Sequence, residues 1–156
     1  SQRLPDRLWS DEISPLLAAG YGPRWTALGA RDKGILVMGL YGGLRCSEIA
    51  QLRVEDVSLQ RRRLLVRQGK GAKDRWVDFT ALAVPTLEAV IGGRREGWMF
   101  VSRKLGGPLT RRGVWYAVAR AGRRAGLRHV HPHPLRHTYA SRLVEEGADL
   151  LAVRAL

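Results

Sequence analysis

One stretch of this 156-residue chain reads as extended structure, and the segments around it read as helix. In RRLLVRQ, Leu64 and Val66 alternate with charged neighbours, and in RWVDFT, Val77 and Phe79 do the same. A period of two is the spacing of a half-buried strand. The connection between them, GKGAKD, carries two glycines and suits a hairpin with a flexible tip. Residues 57–59 are placed to add a third strand.

Helical spacing fills the rest. Ser10 is suited to cap a short helix, with Asp11 and Glu12 in its first turn and an end near Gly20. A second helical segment over roughly 24–41 carries Leu28, Ile35, Leu36, Met38 and Leu40 before the Gly42-Gly43 pair breaks it; its apolar content marks a central element. Residues 47–53 form a short helix with Ile49 and Leu52 facing inward and Glu48 in its first turn. Further helices are predicted over 80–91 and 110–125, the second closed by Gly126, with a brief extended piece at 98–102. The last complete helix starts at Pro134, a residue suited to the first helical position, and stops at Gly147, after which DLLAVRAL begins another. The fold class is therefore α+β, mainly helical, with a small antiparallel sheet of two or three strands. Hydrophobic residues make up 45% of the chain, enough for one core of ordinary size. Residues 1–8 read as a linker and 9–156 as one domain.

The formal net charge of +13 makes nucleic acid the leading partner, because a basic surface gains affinity by releasing counterions from a polyanion. An acidic membrane surface is the weaker alternative. Only four of the 27 basic residues are lysines (Lys33, Lys70, Lys73 and Lys104), and an arginine bias also arises from GC-rich coding, so the charge needs a site to give it meaning. The single cysteine, Cys46, excludes an internal disulfide framework and agrees with a reducing, intracellular setting. No apolar run approaches bilayer-spanning length, and SQRLPDRLWSDE has neither the apolar centre nor the cleavage pattern of a signal peptide. A soluble cytoplasmic protein is expected.

Two arginines stand out: Arg45 in YGGLRCSEI and Arg136 in HPHPLRHTYASRL, each where a helix is predicted to begin. The amino end of a helix carries partial positive charge and unpaired N–H groups, so a cation there is unfavourable unless an anion lies between them. Two such sites imply a bound anion, most simply a phosphate. Arg136 shares a helical face with Tyr139, Ala140 and Leu143, which sets its guanidinium on an apolar stripe where it needs a partner. A plainer reading stands beside this one: His133 caps the helix, His137 stacks in the core and Arg136 pairs with a carboxylate. All four histidines (His129, His131, His133 and His137) fall in this stretch, which raises a metal site; but Pro132 and Pro134 forbid one regular element across them, and no Cys or Glu completes a ligand set, so no metal is expected. In 110–125, Val114, Trp115 and Val118 face the core while Arg112, Arg120 and Arg123 face outward, available to a phosphate backbone or simply solvated.

GLRCSEIAQLRVEDV, then the hairpin with GKGAKDRWV, then HPHPLRHTYASRLVEEGADL together resemble the catalytic domain of the tyrosine recombinase (phage integrase) family. That family carries a G-L-R-x-S-E box, a lysine in a β-hairpin and an H-x-L-R-H box in this order. The resemblance implies that Arg45 and Arg136 clamp the non-bridging oxygens of a scissile phosphate. It implies that Lys70, in GKG, is the general acid for the leaving 5′-oxygen, with neighbouring Lys73 the alternative, and that His133 is an acid/base residue supported by Glu48 and His137. The residue types suit the chemistry: an arginine fork matches two phosphate oxygens, and phosphoryl transfer gains chiefly from positioned cations. Lysine suits an acid because its pKa falls beside other cations.

The resemblance also implies a second histidine or tryptophan and a nucleophilic tyrosine after the H-x-L-R-H box. Tyr21, Tyr41 and Tyr116 precede the box and Tyr139 lies on Arg136's own predicted helix, so the sequence reads as a catalytic domain whose C-terminal part, with the nucleophile, is missing. The implied function is site-specific DNA strand cleavage and rejoining through a 3′-phosphotyrosyl intermediate, on double-stranded DNA and with further recombinase protomers. No P-loop and no clustered carboxylates for Mg²⁺ are present, and no cofactor is expected. The alternatives are an inactive DNA-binding module of the same fold, a type IB topoisomerase-like domain, and a basic RNA-binding protein, against which the ordered boxes stand.

Overall fold

The computed structural model describes residues 7–20, 27–68, 73–104, 106–127 and 130–145. Six helices and one sheet are described: α1 (Ser10–Gly20), α2 (Ala27–Gly42), α3 (Cys46–Ala50), β1 (Val57–Ser58), β2 (Arg63–Val66), β3 (Arg75–Asp78), α4 (Val84–Ile91), α5 (Arg111–Arg124) and α6 (Pro132–Glu145). The mainly helical class with a small sheet is what the periodicities require.

Helix α2 is the centre. Ile35, Leu36, Val37, Met38 and Leu40 are all buried, and a helix apolar on every side must be surrounded; α1, α4, α5 and α6 pack against it. Its glycines set how close the neighbours come. A Cβ on Gly34 would meet Val90 of α4 at 2.8 Å, and one on Gly39 would meet Leu135 of α6 at 2.9 Å.

The sheet is antiparallel in the order β1-β2-β3, with Leu64 opposite Val77 and Val66 opposite Arg75. Leu64, Val66 and Val77 are buried on its inner face, while Trp76 points out, 56% exposed, under the Arg63 guanidinium. Alternation therefore puts Arg75 on the inner face beside Val66, the edge of the sheet nearest α3. The third strand is shorter than 57–59, and the piece at 98–102 is reduced to the isolated bridges Arg53–Trp98 and Val101–Pro108.

Several helix boundaries move, each for a local reason. Helix α1 begins at Ser10 itself, with the Glu12 carboxylate accepting the Trp9 N–H at 3.1 Å. The segment at 80–91 opens with a 3-10 turn (Ala81–Ala83), and the α-helix proper starts at Val84 with Pro85 in its first turn. Helix α6 begins at Pro132, two residues before the expected Pro134, because first-turn N–H groups have no intrahelical acceptor and both prolines fit there. Arg136 thus lies in the second turn, and His133 is an exposed first-turn residue rather than a cap. Leu8, expected in the linker, is buried and donates its N–H to Thr138 Oγ1 at 2.7 Å. The expected helix at DLLAVRAL lies outside the described residues, as do Lys70 and His129.

On α5, Thr110 Oγ1 accepts the Gly113 N–H at 3.0 Å and caps the helix. Its buried stripe is Val114, Ala117, Val118 and Ala121, not Val114, Trp115 and Val118: Trp115 falls one position off the stripe and is 44% exposed. Arg120 keeps a side chain that is 41% exposed, and its guanidinium also reaches the buried Asp32 of α2 at 3.6 Å.

Candidate active site

The turn from α2 into α3 is held at both sides by buried apolar residues, Leu44 before Arg45 and Ile49 after it. Between these anchors Arg45 takes an extended conformation at the N-cap of α3, and its backbone N–H donates to Glu48 Oε1 at 2.8 Å. Its side chain is left exposed. Arg136 arrives from α6 across 93 residues of sequence, its Nη1 donating to the Gly43 carbonyl at 2.9 Å. The two guanidiniums, His133 and the start of α5 open onto one cleft of about 980 Å³.

Arg111 and Arg112 from α5 complete a lining of four arginines, and among the described residues no carboxylate faces the cleft. Cys46, Ser47, Pro132 and a group of aromatic side chains form the rest of the wall. The Trp115 and His131 rings stack at a centroid distance of 6.4 Å, His131 and His133 at 6.4 Å, and His137 follows at 6.2 Å from His133. Tyr116 stands edge-on to Trp115 at 5.4 Å and also lines the cleft.

Beneath the floor lies Glu48, with a side chain only 8% exposed. Oε1 accepts from the Arg45 N–H and from Arg75 Nη2 at 3.1 Å, and Oε2 accepts from Arg75 Nη1 at 2.5 Å and from Gln68 Nε2 at 3.3 Å. Burial by itself would raise this carboxyl, but the hydrogen bonds from Arg75 and the Arg45 N–H, with the charges of both arginines, outweigh it and hold the pKa below the ordinary value. Arg136 is shifted downward, first by burial and then by the charge of Arg45, with Glu48 opposing. It remains a cation, since guanidinium does not deprotonate in proteins.

Of the residues singled out in the sequence, Arg45, His133, Arg136 and Arg112 line the cleft, Glu48 underlies it, and half-buried His137 adjoins His133. Lys73 is exposed on the run into β3 and Arg123 is exposed on α5; Lys70 is outside the described residues. Arg75, Arg111, Trp115, Tyr116 and His131 were not singled out as site residues. Arg75 had a signal: it stands two residues before Val77 in the alternating strand, on the inward face. The Cys46 thiol donates to the Arg111 carbonyl at 2.9 Å, and burial pushes its pKa up despite the Arg111 charge, so it stays protonated at neutral pH. Among the described residues no three of His, Cys, Asp and Glu gather as a metal ligand set.

A cleft with four guanidiniums, two imidazoles and, among the described residues, no carboxylate favours an oxyanion. Forked donors at Arg45 and Arg136 offer bidentate contacts, and their mutual repulsion falls when a negative charge enters between them.

Comparison with known proteins agrees. The phage integrase family profile matches residues 6–156. The tyrosine recombinase XerA of Thermococcus kodakarensis is 37% identical over 158 residues, covering 98% of this chain and 54% of the relative. The tyrosine recombinase XerC of Oceanobacillus iheyensis is 38% identical over 168 residues, 100% of this chain and 53% of the relative. The chain thus spans about half the length of these relatives. Among solved structures, a XerA recombinase superposes with a TM-score of 0.83 at 27% identity over 99% of this chain and 56% of that one. The XerH site-specific recombinase bound to its difH substrate superposes with 0.78 at 26% identity over 98% and 47%. With a profile match over nearly its whole length, these relatives and this superposition, the chain belongs to the phage integrase family of tyrosine recombinases and has the fold of their catalytic domain.

Proposed function

We propose that this domain cleaves and rejoins double-stranded DNA through a 3′-phosphotyrosyl intermediate, as a site-specific recombinase. The observation that carries the reading is that Arg45, at the start of α3, and the His133–Arg136 pair on α6, far from it in sequence, open onto one cleft that no carboxylate lines among the described residues. Arg45 and Arg136 hold the non-bridging oxygens and stabilise the charge that develops on them. His133, on the exposed first turn of α6, exchanges a proton with the reacting oxygens, and His137 supports it. Lys70 is the general acid for the leaving 5′-oxygen. Glu48 orients the Arg45 turn. Arg112 and Arg123 on α5, with Lys73 on the hairpin, meet the DNA backbone; Arg120 contributes less, being drawn to Asp32.

Tyr21, Tyr41 and Tyr116 precede the H-x-L-R-H box and Tyr139 follows it on the same helix α6, whereas the resemblance puts the attacking group on a later helix, so none of the four is assigned that role. Further protomers assemble on the DNA to complete an exchange. No described helix is long and apolar enough to cross a membrane, and we place the protein in the cytoplasm with its substrate.

Covalent capture tests the proposal. The protein, produced with the coding sequence downstream of Leu156, is incubated with a library of nicked suicide duplexes and denatured. A denaturant-resistant protein–DNA complex that Arg136→Ala abolishes is expected. Salt-sensitive DNA binding without any such complex would instead assign a non-cleaving DNA-binding module.

A further inference from the structure

We propose that Arg75 is a positioning residue of the anion clamp: by occupying the Glu48 carboxylate it prevents that carboxylate from neutralising Arg136. This rests on the reading of the cleft as a phosphate site.

The geometry is one of saturation. A carboxylate has about four lone-pair sites. Glu48 fills them with the Arg45 N–H, two N–H groups of Arg75 and the Gln68 amide. Arg136 Nη1 stands 3.8 Å from Oε1, beyond hydrogen-bond distance, and donates instead to the Gly43 carbonyl. Arg136 therefore keeps its charge for the cleft. Remove Arg75, and two sites on a nearly buried carboxylate fall vacant. Such a group seeks the nearest cation, and the cation at 3.8 Å is Arg136. A full Glu48–Arg136 pair would cancel half the clamp without removing any residue that lines the cleft.

This predicts an unusual epistasis. Arg75→Gln should weaken binding of inorganic phosphate about tenfold, well within what a neutralising charge at ion-pair distance can exert. Adding Glu48→Gln to it should restore affinity to within about threefold of the parent, because the competing charge is gone. Arg75→Lys, which keeps a cation on Glu48, should lose little. A merely structural role for Arg75 predicts that the second substitution deepens the defect.

The experiment is a titration of the parent chain and the three variants with inorganic phosphate, followed on the Arg136 guanidinium resonances by NMR. Spectra without phosphate are recorded first. The Arg136 resonances should shift in Arg75→Gln and return in the double variant. If they do not move, the proposal is overturned, whatever phosphate does. If affinity in the double variant is no better than in Arg75→Gln, it is likewise overturned, because Arg75 then acts by touching the anion or by supporting the fold. If the resonances shift and return but the parent binds no phosphate, the role of Arg75 toward Glu48 stands and the phosphate reading of the cleft fails.

Discussion

Tyr139 packs against Gly43, so closely that a Cβ at position 43 would come within 2.1 Å of its ring. The same glycine has φ +66 and offers its carbonyl to Arg136. One residue thus joins the end of α2 to α6 and fixes the Arg136 side chain.

Gly43→Ala should therefore be damaging twice over. The left-handed backbone costs an L-residue about 1 kcal/mol, and the methyl must displace Tyr139, for a total of roughly 2–4 kcal/mol. Chemical denaturation measures the loss. Anion affinity should fall as well, because Arg136 loses the carbonyl that aims it, and phosphate titration of the folded fraction measures that.

DNA binding by this chain should be weak and strongly salt-dependent, since backbone contacts dominate a surface of this charge. Each phosphate contact contributes a slope of about −0.9 in log K against log salt. Arg111→Ala and Arg112→Ala should each reduce the slope by about one, whereas Arg120→Ala, drawn toward Asp32, should change it less and cost some stability instead. Fluorescence anisotropy across a salt series separates these outcomes.

Acid should loosen the site through Glu48. Its folded pKa lies below its ordinary 4.5, so the stability it contributes is fully present above about pH 4.5 and is lost as pH falls through the folded value. Denaturation midpoints of the parent should drop over that window more steeply than those of Glu48→Gln. Parallel curves for the two proteins would remove Glu48 from the account.

These 156 residues alone should form no covalent DNA adduct. Tyr139 packs against Gly43, which holds it away from the cleft. Tyr116, the described tyrosine that lines the cleft, is braced edge-on against Trp115 on α5. An attacking oxygen must lie in line with the leaving oxygen. Incubation with nicked suicide duplexes followed by denaturing electrophoresis is the check, with Tyr116→Phe alongside. A complex that disappears in Tyr116→Phe would make Tyr116 a nucleophile.

The local layout of this protein was legible in its sequence because it rests on short-range rules. Alternation at Leu64, Val66 and Val77 marked the hairpin and its inner face, apolar content marked α2 as central, and the Arg45 and Arg136 boxes marked the family. Each of those signals is a pattern within a few residues. The site itself was decided elsewhere. Arg75 meets Glu48 across 27 residues and Arg136 meets Gly43 across 93, distances over which no periodicity or cap carries information. Trp115 looked apolar and therefore buried, but a helix buries a stripe, and which residue falls just off it depends on what packs against α5. Arg120 looked like a surface charge until α2 presented the buried Asp32. Pairing, exposure and the choice of partner for each cation are properties of the packed chain, because desolvation and ion-pair distance exist only once α2, α3, α6 and the hairpin have come together.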